Sequence, residues 1–88
     1  MLPPVPCGRR GLAASLSVAF GRVLRRLRTQ RGLTQLRLAE LTDLHPTYIS
    51  LLERGHRQPT LDTLAALGKA LNVSPLRLLR GTLAESNK

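Results

Sequence analysis

The sequence predicts an all-α domain of five short helices, on three observations. Aromatic residues make up only 2% of the 88 residues against an apolar share of 42%, so the core must be leucine and alanine, residues that favour helices over pleated sheets. Leucines recur at the three- and four-residue spacings of a helix face, not in strict alternation. Capping residues and Gly or Pro punctuate the chain at short intervals. Eighty-eight residues is the size of one small domain, so one core and no separate catalytic lobe is the expectation.

Residues 1–16 contain Pro3, Pro4, Pro6, Gly8 and Gly11, and read as a flexible arm. Arg9 and Arg10 ahead of the apolar run from Gly11 to Phe20 imitate a secretion signal. The run, however, passes directly into Arg22, Arg25 and Arg26 without a cleavage pattern. It is also about half the ~20 residues that span a bilayer, so no membrane segment is expected. Ser17 is expected to cap a first helix ending near Gln30, with Phe20, Leu24 and Leu27 along one face. Arg22, Arg25 and Arg26 occupy the other face and repel by a few tenths of a kcal/mol each, which points either to an anionic neighbour or to a solvated surface.

Gly32 ends that helix, and Thr34 caps a second, Gln35 to about Leu41 or Thr42, with Leu38 and Ala39 directed inward. After Asp43 and Leu44, His45 caps a third helix whose first position is Pro46, where a missing N–H costs nothing. Ile49 and Leu52 face the core and Gly55 stops the helix. Pro59 closes the next loop, and Thr60 caps a fourth helix with Leu61, Leu64, Leu67 and Leu71 as its buried stripe. Ser74 and Pro75 open a fifth, carrying Leu76, Leu78 and Leu79 and ending at Gly81, after which the chain is expected to fray. The expected domain is therefore 17–81, between an arm of residues 1–16 and a tail of residues 82–88.

Fourteen Lys and Arg, mostly arginine, oppose five Asp and Glu for a net charge of +9. A polyanion is the first partner such a surface suggests, the alternative being mere basic solubility. Cys7 is the single cysteine, which rules out an internal disulfide or a cysteine-based zinc site and suits a reducing cytosol. His45 and His56 lie well apart with no acidic cluster near them, so no metal site is expected. The carboxylates are scattered, no serine sits in a nucleophile elbow and no glycine-rich phosphate loop occurs, so neither an enzyme nor a cofactor is expected. What does stand out is the stretch Gly32 to Gly55, two short capped helices joined by a tight turn, the second offering Thr47, Ser50 and Leu51 outward. That is helix-turn-helix geometry, in which the second helix enters the DNA major groove and the first crosses the phosphates.

The stretches Leu24 to Arg28, Gly32 to Gln35, Leu38 to Glu40, Tyr48 to Gly55, Pro59 to Leu61 and Ala70 to Ser74 together resemble the XRE-type, phage-repressor-like helix-turn-helix regulators. His45 to Gly55 is similar in particular to controller proteins of restriction-modification systems. The resemblance implies a compact lambda-repressor-like fold and a sequence-specific regulator of transcription. It also implies a double-stranded DNA partner and a homodimer with a possible seam at Leu76 and Leu79. The expected location is cytoplasmic, at the nucleoid when DNA-bound. By position, it implies that Gln35 sets register on a phosphate, that His45, Thr47, Tyr48 and Ser50 face bases or the adjacent backbone, and that Arg57 is the loop cation on phosphate or minor groove. Arg37 and Arg54 are further candidate contacts. Beside these roles stand plainer ones: His45 as a cap and Tyr48 as a packing residue.

The resemblance also implies a buried ion pair between Arg28 and Glu53, which would keep both off the DNA. The sequence departs from the family pattern at several positions. Asp43 stands where relatives place Gly, an exchange Asp tolerates because it adopts the left-handed conformation. Pro46 and Leu51 replace polar base readers, which shifts weight to a thymine methyl contact and to DNA shape. Gly68 replaces an alanine, weakening the fourth helix by ~1 kcal/mol unless close packing requires it. A second reading of the same fold is an antitoxin-like or coactivator-like module that binds protein.

Overall fold

Four of the five helices begin at a side chain that supplies the acceptor their first turn lacks. The computed structural model describes residues 8–87, with side chains from residue 16 onward. It contains α1 (Gly8–Gln30), α2 (Gln35–Thr42), α3 (Pro46–Glu53), α4 (Leu61–Leu71) and α5 (Pro75–Ser86). Thr34, His45, Thr60 and Ser74 accept hydrogen bonds from the backbone N–H of Arg37, Thr47, Thr63 and Arg77 respectively. At the other ends, α2 and α4 close on left-handed residues, Asp43 at φ 57° and Asn72 at φ 58°. Asp43 thus takes the conformation expected of it.

Phe20, Val23 and Leu24 of α1, Leu38 and Ala39 of α2, Ile49 and Leu52 of α3, Leu67 and Leu71 of α4 and Leu78 of α5 form one contiguous core. Each large side chain among them contributes about 1.5–3 kcal/mol through removal from water. Helix α1 packs against α5 and α3, while α2 packs on α3 and α4. Two glycines permit the closest approaches. A Cβ on Gly21 would lie 2.5 Å from the carbonyl oxygens of both Leu52 and Glu53, and one on Gly68 would lie 2.7 Å from the carbonyl oxygen of Val73. Close packing is therefore the reason for Gly68.

Three expectations are corrected. Helix α1 starts at Gly8 and not at Ser17, which is buried inside the helix instead of capping it. The good helix formers Leu12, Ala13 and Ala14 carry the helix through Gly11. The rest of the expected arm, residues 1–7, lies outside the described residues. Helix α5 does not stop at Gly81 but runs to Ser86, because its second half has a partner in α1. Thr82 is buried, with its hydroxyl donating to the Leu78 carbonyl at 2.8 Å. Glu85 accepts from Arg26 at 2.8 Å and pairs with Arg22 at 3.7 Å. This carboxylate is the anionic neighbour that relieves two of the three α1 arginines. Finally, Leu61 is 85% exposed, and Thr63 occupies the buried position in the first turn of α4.

Candidate nucleic-acid interface

The surface is built on the rigid coupling of α2 to α3. Arg28 of α1 reaches across to Glu53 at the end of α3, with Nε donating to Oε2 and Nη2 to Oε1 at 3.0 Å, while Nη1 donates to the Leu33 carbonyl at 2.7 Å. The two side chains are 12% and 3% exposed. The expected ion pair therefore exists, and it ties α1, the turn before α2 and the end of α3 to one another. Gln35 brings α2 itself into this tie, its Nε2 donating to Glu53 Oε1 at 3.0 Å. Gln35 is half-buried at the N-terminus of α2, whose other candidate, Arg37, is exposed.

At the start of α3, His45 Nδ1 accepts from the Thr47 N–H at 3.1 Å. That occupies one ring nitrogen in capping and leaves the exposed ring at the mouth of the turn. Thr47 is exposed, Ser50 and Leu51 are half-buried, and Arg54 is exposed. The positions 47, 50, 51 and 54 lie on one helical stripe, opposite the buried Ile49 and Leu52. Arg54 lies at the C-terminus of α3, where a cation is favoured, and its Nε reaches the Ser50 carbonyl at 3.4 Å. Arg57 is exposed in the loop that follows.

Tyr48 is set apart from the outward stripe. It is half-buried and packed on the core, and its hydroxyl meets Thr63 Oγ1 at 3.4 Å. Thr63 in turn meets Thr60 Oγ1 at 2.9 Å. The phenol oxygen is thus held by α4 and does not stand in water. Sequence reading missed Thr63; the available signal was the Thr60, Thr63 spacing, a cap followed by a second hydroxyl in the first turn. The structure places Thr47, Ser50 and Arg54 on one stripe of α3, Arg57 exposed in the loop that follows, and Gln35 and Arg37 in the first turn of the neighbouring helix. Glu53, the acid of α3, is turned away and fully engaged.

Among the described residues, no helix is long and apolar enough to cross a membrane, and no cluster of three or more His, Cys, Asp or Glu residues is placed to hold a metal ion.

A family model described as helix-turn-helix matches residues 24–78. Control protein C.BamHI of Bacillus amyloliquefaciens is 41% identical over 66 residues, covering 74% of this chain and 82% of its own length. Control protein C.SmaI of Serratia marcescens is 48% identical over 56 residues, 64% of this chain and 67% of its own. Among solved structures, the restriction-modification controller protein C.Esp1396I, a tetramer in complex with its natural 35 base-pair operator, superposes with a TM-score of 0.73 at 33% identity, covering 83% of this chain and 96% of that one. The same controller protein has also been solved with single threonine-to-alanine, tyrosine-to-phenylalanine and arginine-to-alanine changes.

Proposed function

This chain belongs to the XRE-type helix-turn-helix family, and from that premise we propose that it is a sequence-specific DNA-binding regulator of transcription that reads the major groove with α3 as a homodimer. The observation that carries the reading is the outer stripe of α3. It is open to solvent at Thr47 and bordered by the exposed Arg54 and Arg57, and the one acid of α3 itself, Glu53, is engaged by Arg28 and Gln35. A helix of this size fits the major groove with its N-terminal side chains toward base edges.

In this reading Gln35 and Arg37 fix register on one phosphate strand, helped by the partial positive charge of the α2 N-terminus. Thr47 and Ser50 meet base edges, with His45 beside them as both cap and contact. Arg54 and Arg57 hold the opposite backbone. Tyr48 positions α3 against α4 and offers its ring edge to the sugar-phosphate chain. The solved variants of C.Esp1396I support the choice of residues. Their threonine and tyrosine are adjacent, and the arginine follows at the spacing that separates Tyr48 from Arg57. With Pro46 and Leu51 apolar, hydrogen-bonded readout is sparse, and DNA deformability supplies part of the discrimination. The protein works in the cytoplasm, at the nucleoid when bound. Residues 8–86, wider than the span expected from sequence, make up the DNA-binding domain.

Selection of bound duplexes from a random pool tests this. The expected product is a two-fold symmetric site whose half-sites are separated by about one helical turn, ~10 base pairs, or a multiple of it. A pool that binds yet shows no enriched sequence overturns the proposal.

A further inference from the structure

A second basic feature lies away from the helix-turn-helix. Between α1 and α5 runs a cleft of about 470 Å³, with the buried Val23 and half-buried Leu27 at its base, the exposed Ala84 on its α5 side, and Arg26, Arg77 and Arg80, all exposed, along it. Arg77 and Arg80 are exposed and make no ion pair among the described residues. Arg26 is held over the cleft by Glu85. Gly81 allows α5 to lie close to Val23, a Cβ there falling 3.3 Å from Val23 Cγ1.

From this combination of apolar floor and arginine rim, we propose that the α1–α5 cleft is a docking groove for an acidic amphipathic helix of a partner protein. The inference goes beyond DNA recognition and does not depend on it. Charge decides among the possible occupants. A second copy paired two-fold on this cleft would set the exposed Arg77 and Arg80 against the same residues of its partner. Duplex DNA would satisfy the rim, but its phosphates have no use for an apolar floor. The cleft also faces away from α3: Gly21 marks the side of α1 that touches α3, and Arg26, five residues on, is roughly 140° around the helix from it. An acidic helix with apolar residues at i, i+4 and i+7 satisfies both parts, laying its apolar edge on Val23, Leu27 and Ala84 while its carboxylates meet Arg77 and Arg80.

The probe is a fluorescent synthetic peptide of Glu and Ala carrying Leu at i, i+4 and i+7, titrated with the full chain and followed by anisotropy. The expected result is binding that falls by about tenfold or more in Arg77→Glu/Arg80→Glu. The loss should be in the same direction but smaller in Arg77→Ala/Arg80→Ala. A charge-matched Arg25→Glu/Arg31→Glu protein should bind within about twofold of the parent, as screened charges outside the cleft contribute little. A companion peptide with Ala in place of Leu should bind at least about tenfold more weakly, and amide shifts on binding should centre on Val23, Leu27 and Ala84. Unchanged far-UV circular dichroism keeps a binding loss distinct from unfolding. Equal losses in the two charge-reversed proteins, or equal binding of the Leu-free peptide, would show general charge attraction and overturn the proposal. Assignment of the cleft to DNA would follow instead if a random duplex shifted the same amides and Arg77→Glu/Arg80→Glu lost duplex affinity as strongly as Arg57→Ala.

Discussion

Glu53 receives three donors, two from Arg28 and one from Gln35, so its value lies in what it satisfies. Replacing it with Ala leaves the Arg28 guanidinium, 12% exposed, without its counter-charge. We expect Glu53→Ala to lose about 3–5 kcal/mol in urea unfolding, with DNA affinity falling as the folded fraction falls and as Gln35 loses the carboxylate that holds it. The residues of the outer stripe behave in the opposite way, since exposed side chains cost little stability when truncated. Arg57→Ala should weaken binding to every sequence and lower the slope of log affinity against log salt by about 0.9. Thr47→Ala with Ser50→Ala should instead lower discrimination between the selected site and random duplex, by about 1–3 kcal/mol for each base edge that goes unread, while keeping most of the salt slope. A salt titration on both DNAs separates the two, and equal loss of discrimination in both variants would contradict the assignment.

Among the helices, α4 poses a contest between propensity and packing. Alanine is favoured over glycine inside a helix by about 1 kcal/mol, yet a Cβ on Gly68 would stand 2.7 Å from the Val73 carbonyl oxygen, and that neighbour is backbone that cannot rotate aside. Overpacking of this kind costs about 1–3 kcal/mol, so Gly68→Ala should lower the thermal midpoint instead of raising it. Gly21→Ala, facing two carbonyls at 2.5 Å, should lower it further; a rise in either variant would refute the packing account. These close approaches also show what the sequence could disclose. Caps at Thr34, His45, Thr60 and Ser74 were legible because capping is a local bond between a side chain and a backbone two or three residues away. So was the helix-turn-helix, whose turn residue Asp43 stands where the resembled family places Gly and tolerates the left-handed conformation. The extent of α5 was not legible. Gly81 reads locally as a stop, and only Val23, Arg22 and Arg26, far away in sequence, reveal why the helix continues to Glu85 and beyond. Tyr48 was ambiguous for the same reason: its hydroxyl partner Thr63 sits on another helix. Leu61 misled because steps of three drift around the helix: at roughly 100° per residue it lies roughly 120° from Leu67, whereas Thr63 lies roughly 40° from Leu67 and takes the buried position.

At the scale of the whole molecule, the arginines are spread over more than one face, and three of the exposed large apolar side chains fall together on α5. Leu76, Leu79 and Leu83 are 61%, 47% and 48% exposed and fall at i, i+3 and i+7, so they make one strip along the helix. A single α3 reads only a few base pairs, which leaves too little binding energy to select a site among the many competitors in a genome. A two-fold partner doubles the reading, and a self-complementary leucine strip is the simplest means of recruiting it. Leu83 joins the expected pair Leu76 and Leu79 only because α5 runs past Gly81. The consequence is testable without disturbing the core, which uses the other face of α5 through Leu78 and Thr82. Leu79→Glu with Leu83→Glu should leave the circular dichroism unchanged and convert the protein to a monomer in sedimentation equilibrium. On the selected two-fold site the variant should then bind each half independently, with affinity close to that for an isolated half-site. A variant that remained dimeric would remove the strip from the interface and place the seam on another face of the fold.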